Sequence, residues 1–232
     1  VIKNKFGIID RTSSSRFLSL DGVWQIKQHN HVEDFDVNES LENSIPVPSC
    51  VQMHGYAHIQ YLNTRYPFPV MLPHIPYENP CWHYRRTFNL KKQDGEKYYI
   101  NFEGVDSAFY LYINGKQKGY SQISHATSEF DITDLVVNGE NTIDVLVLKW
   151  CISTYLECQD KFRFSGIFRN VYLLTRPKNH ITDYKIDTTI DGSNGILTFH
   201  NESPVDIRVA INGKSTLVPK DVSTDIVVPN VR

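Results

Sequence analysis

The chain has 232 residues, with 24 lysines and arginines against 26 aspartates and glutamates, and a formal net charge of −2. This balance provides no basic field for nucleic acid or for an anionic lipid surface, so neither is expected as a partner. No apolar run approaches the length that crosses a bilayer. The length allows one large domain or two modest ones, each able to bury a core.

The N-terminal segment and the cysteines bear on the cellular compartment. Residues 1–17 contain neither a long apolar core nor a small-residue cleavage site, so no signal peptide is visible. The cysteines have no CxxC spacing and no obvious pairing; they are Cys50, Cys81, Cys151 and Cys158. We therefore expect reduced thiols and a cytoplasmic location.

The first part of the chain reads as one strand between irregular segments. Residues 11–20 are polar and serine-rich, which indicates an N-terminal arm. Residues 22–27 alternate, which predicts a strand with Trp24 in the core. Residues 33–44 are acidic and weakly apolar, which predicts a loop with at most a short helical turn. Seven prolines crowd residues 46–80, and this density excludes a helix or a central strand, so we expect a long irregular crossing of functional or interfacial use.

Short strands follow the crossing in quick succession. The segment from 141 to 149 is apolar on both faces, which predicts a strand in the middle of a sheet. Asn114-Gly115 is a strong hairpin signal. The predicted strands are 81–89, 98–103, 108–113, 141–149 and 169–175. Short strands separated by turns predict a β-sandwich for residues 1–177.

Residues 178–232 have a different character. Four strands are predicted there, at 181–190, 196–200, 207–211 and 223–228, the third followed by Asn212-Gly213 as its hairpin. A complete immunoglobulin-like sandwich needs about seven strands in about 100 residues. The pattern therefore predicts only part of such a domain.

The stretch from Thr154 to Tyr172, TYLECQDKFRFSGIFRNVY, concentrates the chemistry-bearing side chains. Asp160 lies close to three phenylalanines, at 162, 164 and 168. Aromatic faces stack on sugar rings, and a fixed carboxylate suits hydroxyl groups or a hard cation. The structural alternative is that Asp160 pairs with Arg163 or Arg169 while the rings belong to the core.

This stretch, with several others in the same order, resembles glycoside hydrolase family 2, and in particular its large microbial β-galactosidases. The other matching stretches are SLDGVWQI at 19–26, VPSCVQMHGY at 47–56, YPF at 66–68, ENP at 78–80, FEGVDSAFYLYINGKQKGYSQ at 102–122 and SEFDIT at 128–133. Together they cover most of residues 11–177.

The resemblance implies a fold and an activity. It implies a jelly-roll, galactose-binding-like sugar-binding domain at 1–177, and at 178–232 an immunoglobulin-like domain truncated before its closing strands. The activity implied is retaining hydrolysis of terminal β-D-galactosides such as lactose. The catalytic glutamates and the Mg²⁺ ligands would lie on a (β/α)₈ barrel outside this chain, so the chain alone is expected to be inactive. The resemblance also implies that the parent enzyme is a homo-oligomer.

The resemblance also assigns two residues. Asp160 matches an aspartate that meets a galactosyl hydroxyl and helps to hold a sodium ion. Asp106, in EGVDSAF, matches a position that points towards the sugar; the best-known members have Asn there, and an ionised carboxylate only accepts hydrogen bonds. The alternative for Asp106 is a turn residue that caps Ser107 or Ala108. The neighbouring pairs Glu103 with Asp106 and Glu157 with Asp160 are not expected to be catalytic.

Other functions remain open from the sequence. A jelly roll can be a carbohydrate-binding module without catalysis. The proline-rich crossing can serve mainly for subunit assembly. Within the family, a β-glucuronidase or a β-mannosidase is the nearest competitor, although QMHGY and ECQDKFRFSGIFR resemble the galactosidases more closely.

Overall fold

The structure is a computed structural model that describes residues 11–63, 65–157 and 159–231. The chain divides into two compact units, the first ending at Thr175 and the second beginning at Arg176. Both units consist of β-strands, which confirms the all-β prediction. The helical segments among the described residues are short 3-10 helices, at Arg11–Ser13, Val32–Asp34, Val51–His54 and Ile152–Tyr155. None of them has the length and apolar character that a membrane crossing requires.

The first unit contains fourteen strands within the described residues. They are β1 (Phe17–Ser19), β2 (Gly22–His29), β3 (Asn43–Val47), β4 (Gln60–Tyr61), β5 (Cys81–Leu90), β6 (Glu96–Phe102), β7 (Val105–Asp106), β8 (Ala108–Ile113), β9 (Lys116–Ser121), β10 (Ser128–Asp131), β11 (Gly139–Leu148), β12 (Phe162–Arg163), β13 (Gly166–Ile167) and β14 (Val171–Pro177).

The larger sheet has six strands in the order β3-β2-β5-β11-β8-β9. Its strand β11 is central and antiparallel to β5 along ten residue pairs, from Gly139–Leu90 to Leu148–Cys81. Val145 and Val147 face the main core, whereas Leu146 and Leu148 are buried on the opposite face. The prediction of a central strand with two buried faces is therefore confirmed, although the strand begins two residues earlier, at Gly139.

A second sheet, in the order β1-β14-β6-β10, covers the inner face of the first. Side chains of β6 and β14, such as Ile100 and Leu173, share one buried cluster with Trp24, Trp82 and other residues of the larger sheet. Two sheets thus enclose one apolar core, which confirms the predicted β-sandwich. The burial of Trp24, as predicted, follows from its alternation with the exposed Val23 and Gln25 on β2.

The N-terminal arm and the crossing are more regular than expected. The arm contains β1, which pairs with Tyr172–Leu174 of β14. Pro46 lies in β3, at the edge of its sheet, where a missing backbone donor is tolerated. The exclusion of helix from the crossing is wrong for one turn, the 3-10 helix Val51–His54, which ends at Gly55 with φ 80°. This turn forms because residues 49–56 contain no proline.

The second unit has five strands, one more than predicted. They are β15 (Tyr184–Asp191), β16 (Asn194–Asn201), β17 (Ile207–Ile211), β18 (Lys214–Val218) and β19 (Ser223–Val228). The additional strand β18 forms because Asn212 and Gly213 both adopt positive φ, which closes a tight hairpin with β17. Phe199, Ile207 and Val218 form the small core of this unit.

The double burial of β11 leads to a stability prediction. Leu146 is 1 % exposed on the outer face of the sheet, whereas Leu156 is 86 % exposed. Leu146→Ala should lower the free energy of unfolding by about 2–5 kcal/mol, as for a core leucine. Leu156→Ala, the matched control, should change it by less than about 0.5 kcal/mol. Urea unfolding of the 232-residue chain measures both, and an equally small effect of Leu146→Ala would show that the outer face is not a core.

Candidate functional site

The predicted site loop begins where β11 ends. The chain passes through Trp150 and the 3-10 helix Ile152–Tyr155, continues past Asp160, and enters β12. Strand β12 pairs with β4, which belongs to the proline-rich crossing, so that Phe162 lies opposite Tyr61. The crossing and the site loop are therefore held side by side by backbone hydrogen bonds.

Asp160 is exposed, and its contact is a neutral hydroxyl. The Tyr61 hydroxyl donates a hydrogen bond of 2.5 Å to Oδ1 of Asp160. This bond raises the pKa of Tyr61, which keeps the hydroxyl protonated as a donor. The other oxygen of the Asp160 carboxylate, Oδ2, is not used by this bond.

The two arginines considered as partners of Asp160 are used elsewhere. Arg163 is buried and donates hydrogen bonds of 3.1 Å to the carbonyl oxygens of Glu157 and Gln159. Arg169 donates to the carbonyl oxygen of His125. Arg163 thus fixes the turn of backbone that carries Asp160, and the contact seen for Asp160 is the Tyr61 hydroxyl.

Aromatic side chains form a wall beside Asp160. The ring of Phe162 lies 5.3 Å from that of Tyr61 and 5.8 Å from that of Phe164, measured between centroids. Tyr61 is 51 % and Phe162 is 53 % exposed. Exposed rings of this size are costly to leave in water, and they suit the apolar face of a sugar.

Asp106 lines an open cavity of about 300 Å³. The cavity is also lined by Lys161 and by Phe162, Phe164 and Phe168. Lys161 forms an ion pair of 3.3 Å with Oδ2 of Asp106, and the Ser107 hydroxyl lies 2.6 Å from its Oδ1. Asp160 is not among the residues that line the cavity, so the structure places the two predicted carboxylates in different surroundings.

The crossing anchors the site loop at several points. Asn79 accepts a 2.8 Å hydrogen bond from the Trp150 amide and donates one of 2.9 Å to the Trp150 carbonyl. The ring of Phe68 packs edge-on against Trp150 and Tyr155, with centroids 5.2 Å and 5.3 Å away. Gln52 accepts from the Ser165 amide at 2.9 Å. The crossing is thus the scaffold of the site loop.

The model of the sugar-binding domain of the glycosyl hydrolases family 2 matches residues 17–177. The chain belongs to this family. The match spans the sandwich, the crossing and the site loop, and so includes both Asp106 and Asp160.

Curated relatives of this family 2 chain include several β-galactosidases. That of Staphylococcus xylosus is 45 % identical over 193 residues, which cover 82 % of this chain and 19 % of the relative. That of Actinobacillus pleuropneumoniae is 46 % identical over 184 residues, covering 78 % and 18 %. That of Pseudoalteromonas haloplanktis is 39 % identical over 232 residues, covering 92 % and 22 %. The chain spans about a fifth of the length of these relatives.

Solved structures confirm the fold. A β-glucuronidase from an uncultured Clostridium sp. superimposes with a TM-score of 0.65 at 17 % identity, covering 97 % of this chain and 41 % of that one. A β-glucuronidase from Ruminococcus gnavus gives 0.68 at 17 % identity, with 94 % and 39 % covered. At this identity the likeness concerns the fold alone.

The donor atoms near Asp160 decide how it can hold a cation. A hard cation takes several oxygen ligands, and Asp160 offers a carboxylate that no lysine or arginine neutralises among the contacts of the described residues. The residue fits as one ligand of a sodium ion, and the others would come from elsewhere in the parent protein. Sodium at Asp160 and magnesium in the parent stay predictions.

The sequence analysis missed Tyr61 and Gln52. Tyr61 is 99 positions from Asp160, and no local pattern marks it, apart from its place in a crossing expected to be functional. Two other carboxylates from the considered pairs have structural contacts: Glu157 accepts from the Ser124 hydroxyl at 2.6 Å, and Glu103 pairs with Arg11.

The anchoring by Asn79 leads to a prediction. Asn79→Ala removes both partners of the buried Trp150 backbone, and each unsatisfied group costs about 1–3 kcal/mol. We expect the unfolding free energy of the chain to fall by about 2–6 kcal/mol and proteolysis within residues 149–165 to become faster.

The matched control is Asn38→Ala, since Asn38 is exposed and its side chain contacts only the Asp36 carboxylate in the described part of the chain. This variant should have the same unfolding free energy and the same rate of proteolysis as the unsubstituted chain. Equal effects of the two substitutions in urea unfolding would contradict the anchoring role of Asn79.

Proposed function

We propose that the chain is the sugar-binding part of a β-galactosidase, an enzyme that hydrolyses terminal non-reducing β-D-galactosides with retention. In this proposal the chain completes the galactose subsite and a sodium site, and the remaining domains of the parent protein carry the catalytic carboxyls. The observation that carries the proposal is the identity of 39–46 % to the β-galactosidases quoted above.

The geometry of the site loop supports the galactose subsite. An ionised Asp160 accepts hydrogen bonds from sugar hydroxyls and coordinates a cation with the same group. The exposed rings of Tyr61 and Phe162, tilted by 48° to each other, offer apolar surface next to it. The hydrogen bond from Tyr61 positions the carboxylate, so that less ordering is needed when the sugar binds.

The division of labour follows from the chemistry of retention. Retaining hydrolysis needs two carboxyl groups about 5–5.5 Å apart, one as acid and base and one as nucleophile. Glu103 and Glu157 have other contacts, Asp106 is paired with Lys161, and Asp160 is the proposed ligand of sugar and sodium. As the resemblance to the family implies, the acid/base and the nucleophile would belong to the rest of the parent protein, and the chain by itself should not hydrolyse galactosides.

The crossing offers a surface for the remaining domains or for a second subunit. Four of its apolar side chains are largely exposed: Met53, Met71, Leu72 and Tyr77. Apolar surface of this kind is typical of contacts with other protein surfaces. We extend the proposal to a homo-oligomeric, cytoplasmic parent enzyme, for which analytical ultracentrifugation of the parent protein is the measurement of assembly.

The test of the proposal is Asp160→Asn in the parent protein. The substitution removes the charge but keeps the shape, so kcat/KM for a nitrophenyl β-galactoside should fall at least about 100-fold, or about 2.7 kcal/mol of transition-state binding. The activation by Na⁺ should be blunted at the same time. Asp94→Asn, an exposed aspartate in the turn before β6, is the matched control and should leave both quantities unchanged.

Three outcomes would overturn parts of this proposal. Unchanged kinetics of Asp160→Asn would remove Asp160 from the subsite. A parent protein that cleaves a nitrophenyl β-glucuronide with the higher kcat/KM would replace the galactosidase by a glucuronidase. A parent protein with no glycosidase activity, together with galactose binding by the chain, would favour a binding module.

The variant Asp106→Asn tests whether Asp106 and Asp160 have different roles. The Asp106 oxygens are already engaged by Lys161 and Ser107, and Asn is the residue that the best-known members of the family have here. We expect this variant to lose less kcat/KM than Asp160→Asn and to keep its Na⁺ activation. Loss of the Na⁺ response in Asp106→Asn would place the cation in the cavity of Asp106 instead.

A further inference from the structure

A buried group of polar side chains lies on the outer face of the six-stranded sheet. His29 on β2 and His83 on β5 both point to Glu39, which belongs to the connection between β2 and β3. Nε2 of His29 and Nδ1 of His83 each lie 2.7 Å from the same Glu39 oxygen, Oε1. The side chains of His83, His29 and Glu39 are 0 %, 6 % and 10 % exposed. A charged cluster this deeply buried needs full compensation.

The surroundings orient these three side chains. Nε2 of His83 lies 2.8 Å from Oδ1 of Asp144 on β11, and Arg85 donates to the same oxygen at 2.6 Å. Lys27 lies 2.5 Å from the other Glu39 oxygen, Oε2. The Glu39 carboxyl is desolvated by burial, but the hydrogen bonds from Lys27, His83 and His29 outweigh this effect and hold its pKa below the ordinary value. Glu39 is therefore ionised at neutral pH.

We propose that Nε2 of His29, Nδ1 of His83 and Oε1 of Glu39 form a binding site for a divalent late first-row transition metal, with Zn²⁺ as the expected ion. Two imidazoles and one carboxylate are a frequent donor set for zinc. The three atoms lie within 4.8 Å of one another, and tetrahedral bonds of about 2.0–2.2 Å place donors roughly 3.3 Å apart. Small rotations of the side chains therefore suffice.

The partner of His83 on its far side strengthens this assignment. Metal-bound histidines usually donate their second ring N–H to a carboxylate, which fixes the tautomer and the orientation of the ring. The contact of His83 with Asp144, itself held by Arg85, has this geometry. Lys27 occupies Oε2 of Glu39 and leaves Oε1 to the metal. The site would tie the connection between β2 and β3 to two strands of the sheet.

Binding exchanges hydrogens for metal bonds. A metal ion binds an imidazole nitrogen that carries no hydrogen. On binding, Nδ1 of His83 and Nε2 of His29 therefore carry no hydrogen, and any proton displaced from them leaves to solvent. The ion then bonds the two freed nitrogens and Oε1, and a water completes its coordination.

Cobalt titration of the untagged, metal-free 232-residue chain tests the site, because tetrahedral Co²⁺ absorbs strongly in the visible range. We expect one Co²⁺ per chain, displaced by Zn²⁺ but not by Mg²⁺ or Na⁺, which distinguishes this site from the proposed cation sites of the parent enzyme. His83→Asn and Glu39→Gln should weaken Co²⁺ binding by at least about 100-fold, and Asp144→Asn by about 10–100-fold.

The matched control is His200→Asn, because His200 also contacts a carboxylate, Asp187, at 2.9 Å but in the second unit. It should leave the titration unchanged. A wild-type chain without a saturable Co²⁺ spectrum, or His83→Asn with wild-type affinity, would overturn the proposal. If His83→Asn does not fold, thermal unfolding of the wild-type chain decides. Zn²⁺ should raise the midpoint temperature of unfolding, and EDTA should reverse the rise. An unchanged midpoint temperature would overturn the proposal.

Discussion

Burial of β11 on both faces is the constraint on which the first unit depends. A strand with apolar residues facing both ways is stable only if both faces are covered. The second sheet covers one face. On the other, Leu146 and Leu148 form a cluster with Cys81, Ala108 and Cys151, to which Val32 and Phe35 of the connection between β2 and β3 add. That connection therefore packs against the outer face of the sheet, and its polar side chains contact the sheet together with its apolar ones.

The same constraint positions the candidate site. The loop that carries Asp160 starts at the buried end of β11, so the position of its first residues is fixed by that strand. Beyond that point the loop has little regular structure and relies on the proline-rich crossing, through Asn79, Phe68, Gln52 and the β4–β12 pair. Two irregular segments thus order each other, and prolines limit the conformations that the crossing can adopt when it is unfolded. Such mutual support is a usual way to hold a binding loop in place on a rigid sandwich.

Charge compensation separates the polar groups of this domain into two kinds. Asp106, Asp144 and Glu39 each form an ion pair with a lysine or arginine side chain. This is expected for carboxylates that are largely buried. Asp160 is exposed and contacts a neutral hydroxyl. Among these four carboxylates, Asp160 is the one whose contact is a neutral hydroxyl, and this distinction rests on geometry that its sequence neighbours Lys161 and Arg163 do not reveal.

The sequence by itself determined the all-β class, the central place of β11, the inward orientation of Trp24 and the hairpins at Asn114-Gly115 and Asn212-Gly213. These features depend on side-chain periodicity and on backbone preferences of adjacent residues, which are local properties. Only the tertiary structure decided that Tyr61 meets Asp160, that Arg163 holds backbone carbonyls, and that His29, Glu39 and His83 converge. These contacts join residues 4 to 99 positions apart, and they arise from how the sheets and connections pack, which no local pattern encodes.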